Sequence, residues 1–167
     1  MKGVNDIRLV NVLEGASREE VEQAAMEYWK KHKVILKDEV LQQRATELVM
    51  VAYDDKNKVI ATSTGVKTKV KLLNNNWLYQ YRCFIDPNFR VIGFDYHLTQ
   101  QSLNALEVAG QKDSDKPIGV LTVIENPHLY NNKVNNAAVW RAYKMYFIGF
   151  NSKGQPIRVY YFKDAMI

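Results

Sequence analysis

The chain has one cysteine, Cys83, so no internal disulfide can brace it and the apolar core must carry the fold. A lone thiol fits a reducing compartment, which makes the cytoplasm the expected home. Cys83 itself lies in an apolar run and is expected as a small buried residue of a strand. Also missing is any apolar stretch near the roughly 18 residues of a membrane-spanning helix. The opening "MKGVNDIRLVNV" alternates apolar with polar residues and so has no signal-peptide core. The histidines are scattered, without a His-x-x-x-His pair or cysteine partners, and no metal site is expected. The sequence has no Gly-x-Ser-x-Gly elbow, Walker loop or dinucleotide fingerprint, and neither zinc-finger spacing nor an RNA-binding aromatic motif. Those gaps remove common hydrolase, NTPase, oxidoreductase and nucleic-acid-binding classes.

What is present suits one globular domain spanning residues 1–167, with 47% hydrophobic and 25% charged residues. The net charge of +5 permits an acidic partner without demanding one. Lysines cluster as "KKHK" at 30–33 and alternate as Lys67, Lys69 and Lys71, which places the second set on one face of a strand. That face is either a solvated edge guarded against aggregation or a landing strip for a phosphate-rich cofactor, an acidic carrier protein or nucleic acid.

The order of elements follows from periodicity. "DIRLVNV" alternates and predicts a first strand. Ser17 opens "SREEVEQAAMEYWKKHK" as a capping box with Glu20, and Val21, Ala24, Ala25 and Tyr28 recur at helical spacing. "KDEVLQQRA" predicts a second helix. A meander follows: "ELVMVAYD", then "VIATSTGVKTKVKLL" with Gly65 as a bulge, then "WLYQYRCFI", which stops at Asp86-Pro87 because proline lacks an N–H. From Gly93, "FDYHLTQQSLNALEVAG" predicts a helix closed by Gly110. "IGVLTVIEN" is an apolar strand and "PHLYNN" a loop. "KVNNAAVWRAYKMYF" reads as a last helix, and "YFIGF" and "PIRVYYFK" as a terminal hairpin around "NSKGQ". Antiparallel strands followed by a strand–helix–strand crossover make an α/β (α+β) fold. Its sheet is mixed and mostly antiparallel, with helices on both faces.

The stretch "IDPNFRVIGFDYHL" at 85–98 carries a family resemblance. The order of elements, with this turn in its middle, resembles the GNAT N-acetyltransferase superfamily. The family motif is apolar-x-Pro-x-x-Arg-Gly-x-Gly-apolar-(Gly/Ala)-x-x-Leu, and Ile85, Pro87, Arg90, Gly93, Phe94 and Leu98 fall in register with it. The resemblance implies a V-shaped splay between two middle strands. It also implies that acetyl-CoA or another acyl-CoA binds there, with pantetheine along the strand edge at Phe84 and Ile85. The pyrophosphate would lie on Arg90, Val91, Ile92, Gly93, Phe94 and Asp95. A helix N-terminus suits this, because its first N–H groups lie at the positive end of the dipole. The motif is degenerate at two places. Val91 replaces a glycine, and Asp95 brings a carboxylate where the family has glycine or alanine. Asp95 would repel a phosphate, yet the same charge stabilises the helix end.

Acyl transfer to an amine needs the amine neutral and the leaving thiolate protonated. The family's usual glutamate is absent from "WLYQYRCFI", so Glu125 is the expected base, with His128 a second option. Tyr143, on the expected last helix, is the expected acid. The implied function is an acyl-CoA-dependent N-acyltransferase acting on an amine of a small molecule or peptide. Alternatives are an N-acyl synthase of the same fold fed by acyl carrier protein, and a non-catalytic GNAT-like binding module. A homodimer is compatible with each.

Overall fold

The computed structural model describes residues 7–15, 17–35, 37–131 and 135–167. Strand β1 (Arg8–Asn11) leads into helices α1 (Arg18–Lys31) and α2 (Asp38–Thr46). Strands β2 (Leu48–Tyr53), β3 (Val59–Val70) and β4 (Asn76–Ile85) follow, then helix α3 (Phe94–Lys112) and strand β5 (Gly119–Val123). The short helix α4 (Pro127–Tyr130), strands β6 (Val139–Trp140) and β7 (Met145–Phe150), and β8 (Pro156–Tyr161) complete the order. Among the described residues, eight strands form one sheet in the order β1-β2-β3-β4-β5-β8-β7-β6. β4 and β5 are parallel, while β1–β2, β2–β3, β5–β8, β7–β8 and β6–β7 are antiparallel. The expected mixed, mostly antiparallel sheet is therefore present.

The chain forms two compact units. One is the chain up to Gly65 with Cys83–Ala105, and the other is Val66–Arg82 with Leu106–Ile167. In the first, the apolar stripe of α1 (Val21, Ala25, Tyr28, Trp29) and Leu41 and Ala45 of α2 pack with Leu48, Val51 and Tyr53 of β2. Trp29 Nε1 donates to Thr62 Oγ1 at 2.9 Å, which satisfies the indole once it is buried. In the second, Leu78, Leu121 and Val159 from β4, β5 and β8 make the centre of a core that Leu73 closes.

The β4–β5 ladder pairs Tyr79, Gln80 and Tyr81 with Val120, Leu121 and Thr122, and stops there. β4 runs on to Ile85, so its last residues have no β5 partner in the ladder. Cys83 lies in this terminal part and is exposed, contrary to the buried place expected for it.

Several other local expectations are corrected. Ser17 is the N-cap of α1 but makes no side-chain cap hydrogen bond. The bulge expected at Gly65 lies on the partner strand. Leu48 pairs with Thr64 and Met50 with Ser63, so Val49 is the extra residue, and Ser63 Oγ takes the Met50 N–H at 3.2 Å. Gly110 does not close α3, which continues to Lys112. A Cβ there would come 3.1 Å from Phe162, so the glycine is a point of close packing. "PHLYNN" holds one short helix rather than a loop.

The largest correction is the last helix. Its first residues, 133–134, lie outside the described ones. From Ala137 on, the segment forms β6, a turn over Arg141–Lys144 and β7. The cause is distant in sequence. Arg158 of β8 is buried, donates through Nη2 to the carbonyls of Asn135 and Ala137 at 2.8 Å each, and lies 4.1 Å from the Trp140 ring centre. Those bonds hold the backbone carbonyls outward, where a helix would have turned them along its axis.

The lysine face is also partly spoken for. Lys67 donates to Asp113 at 2.9 Å and to Asp115 at 2.5 Å, and these carboxylates push its ammonium up to about 12. Lys69 lies 5.0 Å from the Trp77 ring centre. No helix among the described residues is long and apolar enough to cross a membrane. Nor do His, Cys, Asp and Glu side chains gather in threes that could hold a metal ion among the described residues.

Candidate functional site

The segment from the end of β4 to the start of α3 is built from three consecutive turns. Asp86 stops the strand, and its own N–H donates to the Ile60 carbonyl at 2.9 Å. Its Oδ1 accepts from the Asn88 N–H at 2.9 Å and from Asn88 Nδ2 at 3.0 Å, capping a single 3-10 turn over Pro87–Phe89. Arg90, at φ −76° and ψ 68°, is the centre of an inverse γ-turn in which the Val91 N–H donates to the Phe89 carbonyl at 2.8 Å. In the third turn the Phe94 N–H donates to the Val91 carbonyl at 3.2 Å, and Gly93 takes φ +84°. Glycine meets that positive φ at little cost. Nothing lies within 4 Å of where a Cβ would sit, so conformation and not space selects it.

α3 then opens on Phe94, which is fully buried and seats the helix start in the core. The His97 N–H closes the first helical bond on the Gly93 carbonyl at 2.9 Å. Two amides of the run, those of Val91 and Phe94, are consumed by the turns themselves. The sequence reading assigned the whole run from Arg90 to Asp95 to the phosphates, and the turns narrow the supply. Ile92 and Gly93 are exposed at the tip, with Arg90 exposed before them and Asp95 exposed in the first helical turn. Phe84 and Ile85 are half-buried at the end of β4.

Beside Phe84 lies a group of residues that the sequence reading did not assemble. The Tyr28 and His32 rings of α1 are 4.7 Å apart, and they lie 5.5 Å and 5.6 Å from the Phe84 ring. His32 is the C-cap of α1. Its Nε2 is 3.4 Å from Asp86 Oδ2, with 17% and 10% of the two side chains exposed. Because Asn88 occupies Oδ1, the other carboxylate oxygen is the one that faces the imidazole.

A single irregularity in β3 brings these groups together. Ala52 pairs with Ala61 and Tyr53 with Val59, so Ile60 is an extra residue. Its carbonyl accepts both the Tyr28 hydroxyl and the Asp86 N–H, each at 2.9 Å. Bulges of this kind re-aim chain at functional sites. Burial, and then the Asp86 charge, push the Tyr28 hydroxyl far above the usual tyrosine range, so it serves as a fixed donor. The only sequence signals were the histidine inside "KKHK", which reads as a charge cluster, and the aspartate of Asp-Pro, which reads as a strand stop.

The remaining candidates are in the second unit. Glu125 is exposed just beyond β5, where the neighbouring Ile124 N–H donates to the Pro156 carbonyl at 2.9 Å. Tyr143 lies in the turn before β7 and not on a helix, and its ring centre is 6.0 Å from that of Trp140. Since Phe150 pairs with Pro156 and Tyr146 with Val159, Glu125 is level with the end of β7 and Tyr143 with its beginning. Six residues of strand separate those levels, roughly 20 Å. His128 is exposed on α4, with its N–H on Asn126 Oδ1 at 3.0 Å.

No protein-family model matches the chain, and no curated protein matches its sequence. Solved structures do match its shape. A phosphinothricin acetyltransferase of the GNAT superfamily from Sinorhizobium meliloti, in complex with acetyl-CoA, is 12% identical, with 96% of this chain and 91% of that one covered and a TM-score of 0.67. The protein yncA from Salmonella typhimurium, with its cofactor acetyl-CoA, is 9% identical, with 98% of each chain covered and a TM-score of 0.64. A GNAT-family acetyltransferase from Streptococcus pneumoniae is 11% identical, with 93% and 99% covered and a TM-score of 0.59. At such identities the likeness is one of architecture, and on it the chain has the fold of the GNAT acetyltransferases.

Proposed function

We propose that the protein is an acyl-CoA-dependent N-acyltransferase, acetyl-CoA being the first donor to test, acting on an amine of a small molecule or peptide. The observation that carries this reading is the run of turns from Asp86 to Phe94. It ends a strand that runs on past the β5 ladder and opens a 19-residue helix, with a positive-φ glycine at the junction. The Ile92 and Gly93 amides, the Arg90 side chain and the dipole of α3 are the groups that would hold the pyrophosphate. The backbone of Phe84 and Ile85 would take the pantetheine as an added strand. A carrier-protein donor gains little support from the lysine face, because Lys67 is already clasped by Asp113 and Asp115.

Asp95 favours a second reading, a module of this fold that has given up acyl-CoA. Its charge sits in the first turn of α3, where it stabilises the helix end and opposes a phosphate. Under the enzyme reading, Asp95→Ala should bind acetyl-CoA about tenfold more tightly, worth about 1.4 kcal/mol. The unliganded protein should lose about 0.3–1 kcal/mol of stability. Calorimetric titration beside urea melts checks both signs. An unchanged affinity would remove Asp95 from the cradle.

Glu125 and Tyr143 stand as separate proposals for base and acid. A general acid or base contributes roughly 10²–10⁴ in rate, so Glu125→Gln and Tyr143→Phe are to be measured singly on the best acceptor from an amine panel. If neither lowers turnover tenfold, both roles are withdrawn.

A further inference from the structure

We infer that His32, held by Asp86, is a general base for the acceptor amine. This rests on the acyltransferase reading above and names a group of its site. Three independent features converge on the imidazole. It packs on Phe84, the strand end assigned to pantetheine, with ring centres 5.6 Å apart. Its Nε2 is buried and faces Asp86 Oδ2 at 3.4 Å, without a hydrogen bond to any described residue. The 17% of the side chain that remains exposed lies on atoms other than Nε2. In the tautomer that places the proton on Nε2, on the side of the carboxylate 3.4 Å away, Nδ1 is the acceptor, since neutral imidazole has one donor and one acceptor nitrogen. The bulged Ile60 carbonyl fixes Asp86 through its N–H and Tyr28 through its hydroxyl, so neither neighbour is a mobile surface group.

The chemistry balances within the site. The acceptor ammonium gives a proton to His32 Nδ1, and the neutral amine attacks the thioester carbonyl. The new C–N bond forms as the C–S bond breaks. The thiolate leaves and takes a proton from the imidazolium. The acylated nitrogen then gives its surplus proton to the freed His32 Nδ1 and on to solvent, and the products are an amide, coenzyme A and one proton. Asp86 is a positioning residue here. It touches no substrate, but it sets the tautomer and balances the imidazolium charge.

The test uses the whole protein with acetyl-CoA and an amine panel of amino acids, a polyamine and short peptides with a free N-terminus, read by thiol release. His32→Ala should lower kcat by roughly 10²–10⁴, with KM for acetyl-CoA little changed, and added imidazole should restore part of the rate. His32→Gln, which keeps the volume, should show the same loss without rescue. Asp86→Asn, which keeps the Oδ1 cap on Asn88, should lower kcat about tenfold or more and leave acetyl-CoA KM unmoved. A readout independent of turnover is modification of His32 by diethyl pyrocarbonate, followed by mass spectrometry, which saturating acetyl-CoA should slow at least severalfold. The inference is overturned if His32→Ala and His32→Gln keep kcat within threefold, or if Glu125→Gln alone shows the loss. It is also overturned if the rate lost in His32→Ala is indifferent to imidazole while Asp86→Asn is fully active. If wild type turns over acetyl-CoA and the His32 and Asp86 variants keep its rate, the acyltransferase reading survives without His32. If wild type neither binds nor turns over acetyl-CoA, both fall together.

Discussion

Gly119→Ala should cost the protein about 3 kcal/mol or more and leave it largely unfolded at modest urea. β5 is the strand between β4 and β8, and Gly119 pairs with Tyr161 of β8. A Cβ built there would lie 2.2 Å from the Tyr160 carbonyl oxygen and 3.1 Å from the Tyr161 Cα. Both neighbours are backbone, so no side chain can rotate away, and the β5–β8 ladder would have to part. Overpacking a well-packed core, where side chains and backbone can shift, costs about 1–3 kcal/mol. A clash with ladder backbone belongs at or above the top of that range, against a total stability of about 5–15 kcal/mol. Urea melts of the two proteins decide the matter. A loss under 1 kcal/mol would mean that β5 and β8 are not held in this register.

Phe94→Ala should cost about 3–5 kcal/mol, the range for deleting a buried aromatic side chain, and should also weaken acyl-CoA binding, the opposite sign to Asp95→Ala. Phe94 is fully buried at the first residue of α3, immediately after the positive-φ Gly93. Its ring fixes where the helix begins, and its N–H closes the turn on Val91. Without the ring the first turn of α3 can fray, and the amides proposed for the pyrophosphate lose their orientation. Phe94→Leu separates the two effects. It should recover most of the stability, and with it the binding. A stable Phe94→Ala with unaltered binding would show that the helix start is held by something other than this ring.

The legible parts of the fold were those written in local pattern. α1, α2 and α3 announce themselves by apolar residues at helical spacing, and Val21, Ala25 and Tyr28 are indeed the buried stripe of α1. Asp86-Pro87 stops β4 as proline must, and the hairpin of β7 and β8 follows its Asn-Ser-Lys-Gly turn. The failures share one physical cause, a distant partner overriding a local preference. "AAVWRAYKMYF" has fair helical spacing, but Arg158, from a strand that follows it, takes the carbonyls of Asn135 and Ala137 and covers Trp140. The expected acid Tyr143 moved with that segment. The His32–Asp86 pair was unreadable for the same reason, since it depends on one extra residue at Ile60 in a third element. The turn between β4 and α3 was legible as far as Gly93. What the sequence could not show is that two of its amides close the turns that shape it.

The central claim is that the turns between Asp86 and Phe94 hold an acyl-CoA. Urea melts of wild type and Asp95→Ala with and without acetyl-CoA test it most directly, because binding to the folded state alone adds stability by mass action. Acetyl-CoA at 100 times its Kd should add about 2.7 kcal/mol, with the Asp95→Ala protein responding at about one tenth of the wild-type concentration. Melting curves of both proteins that do not move at millimolar acetyl-CoA would contradict the account.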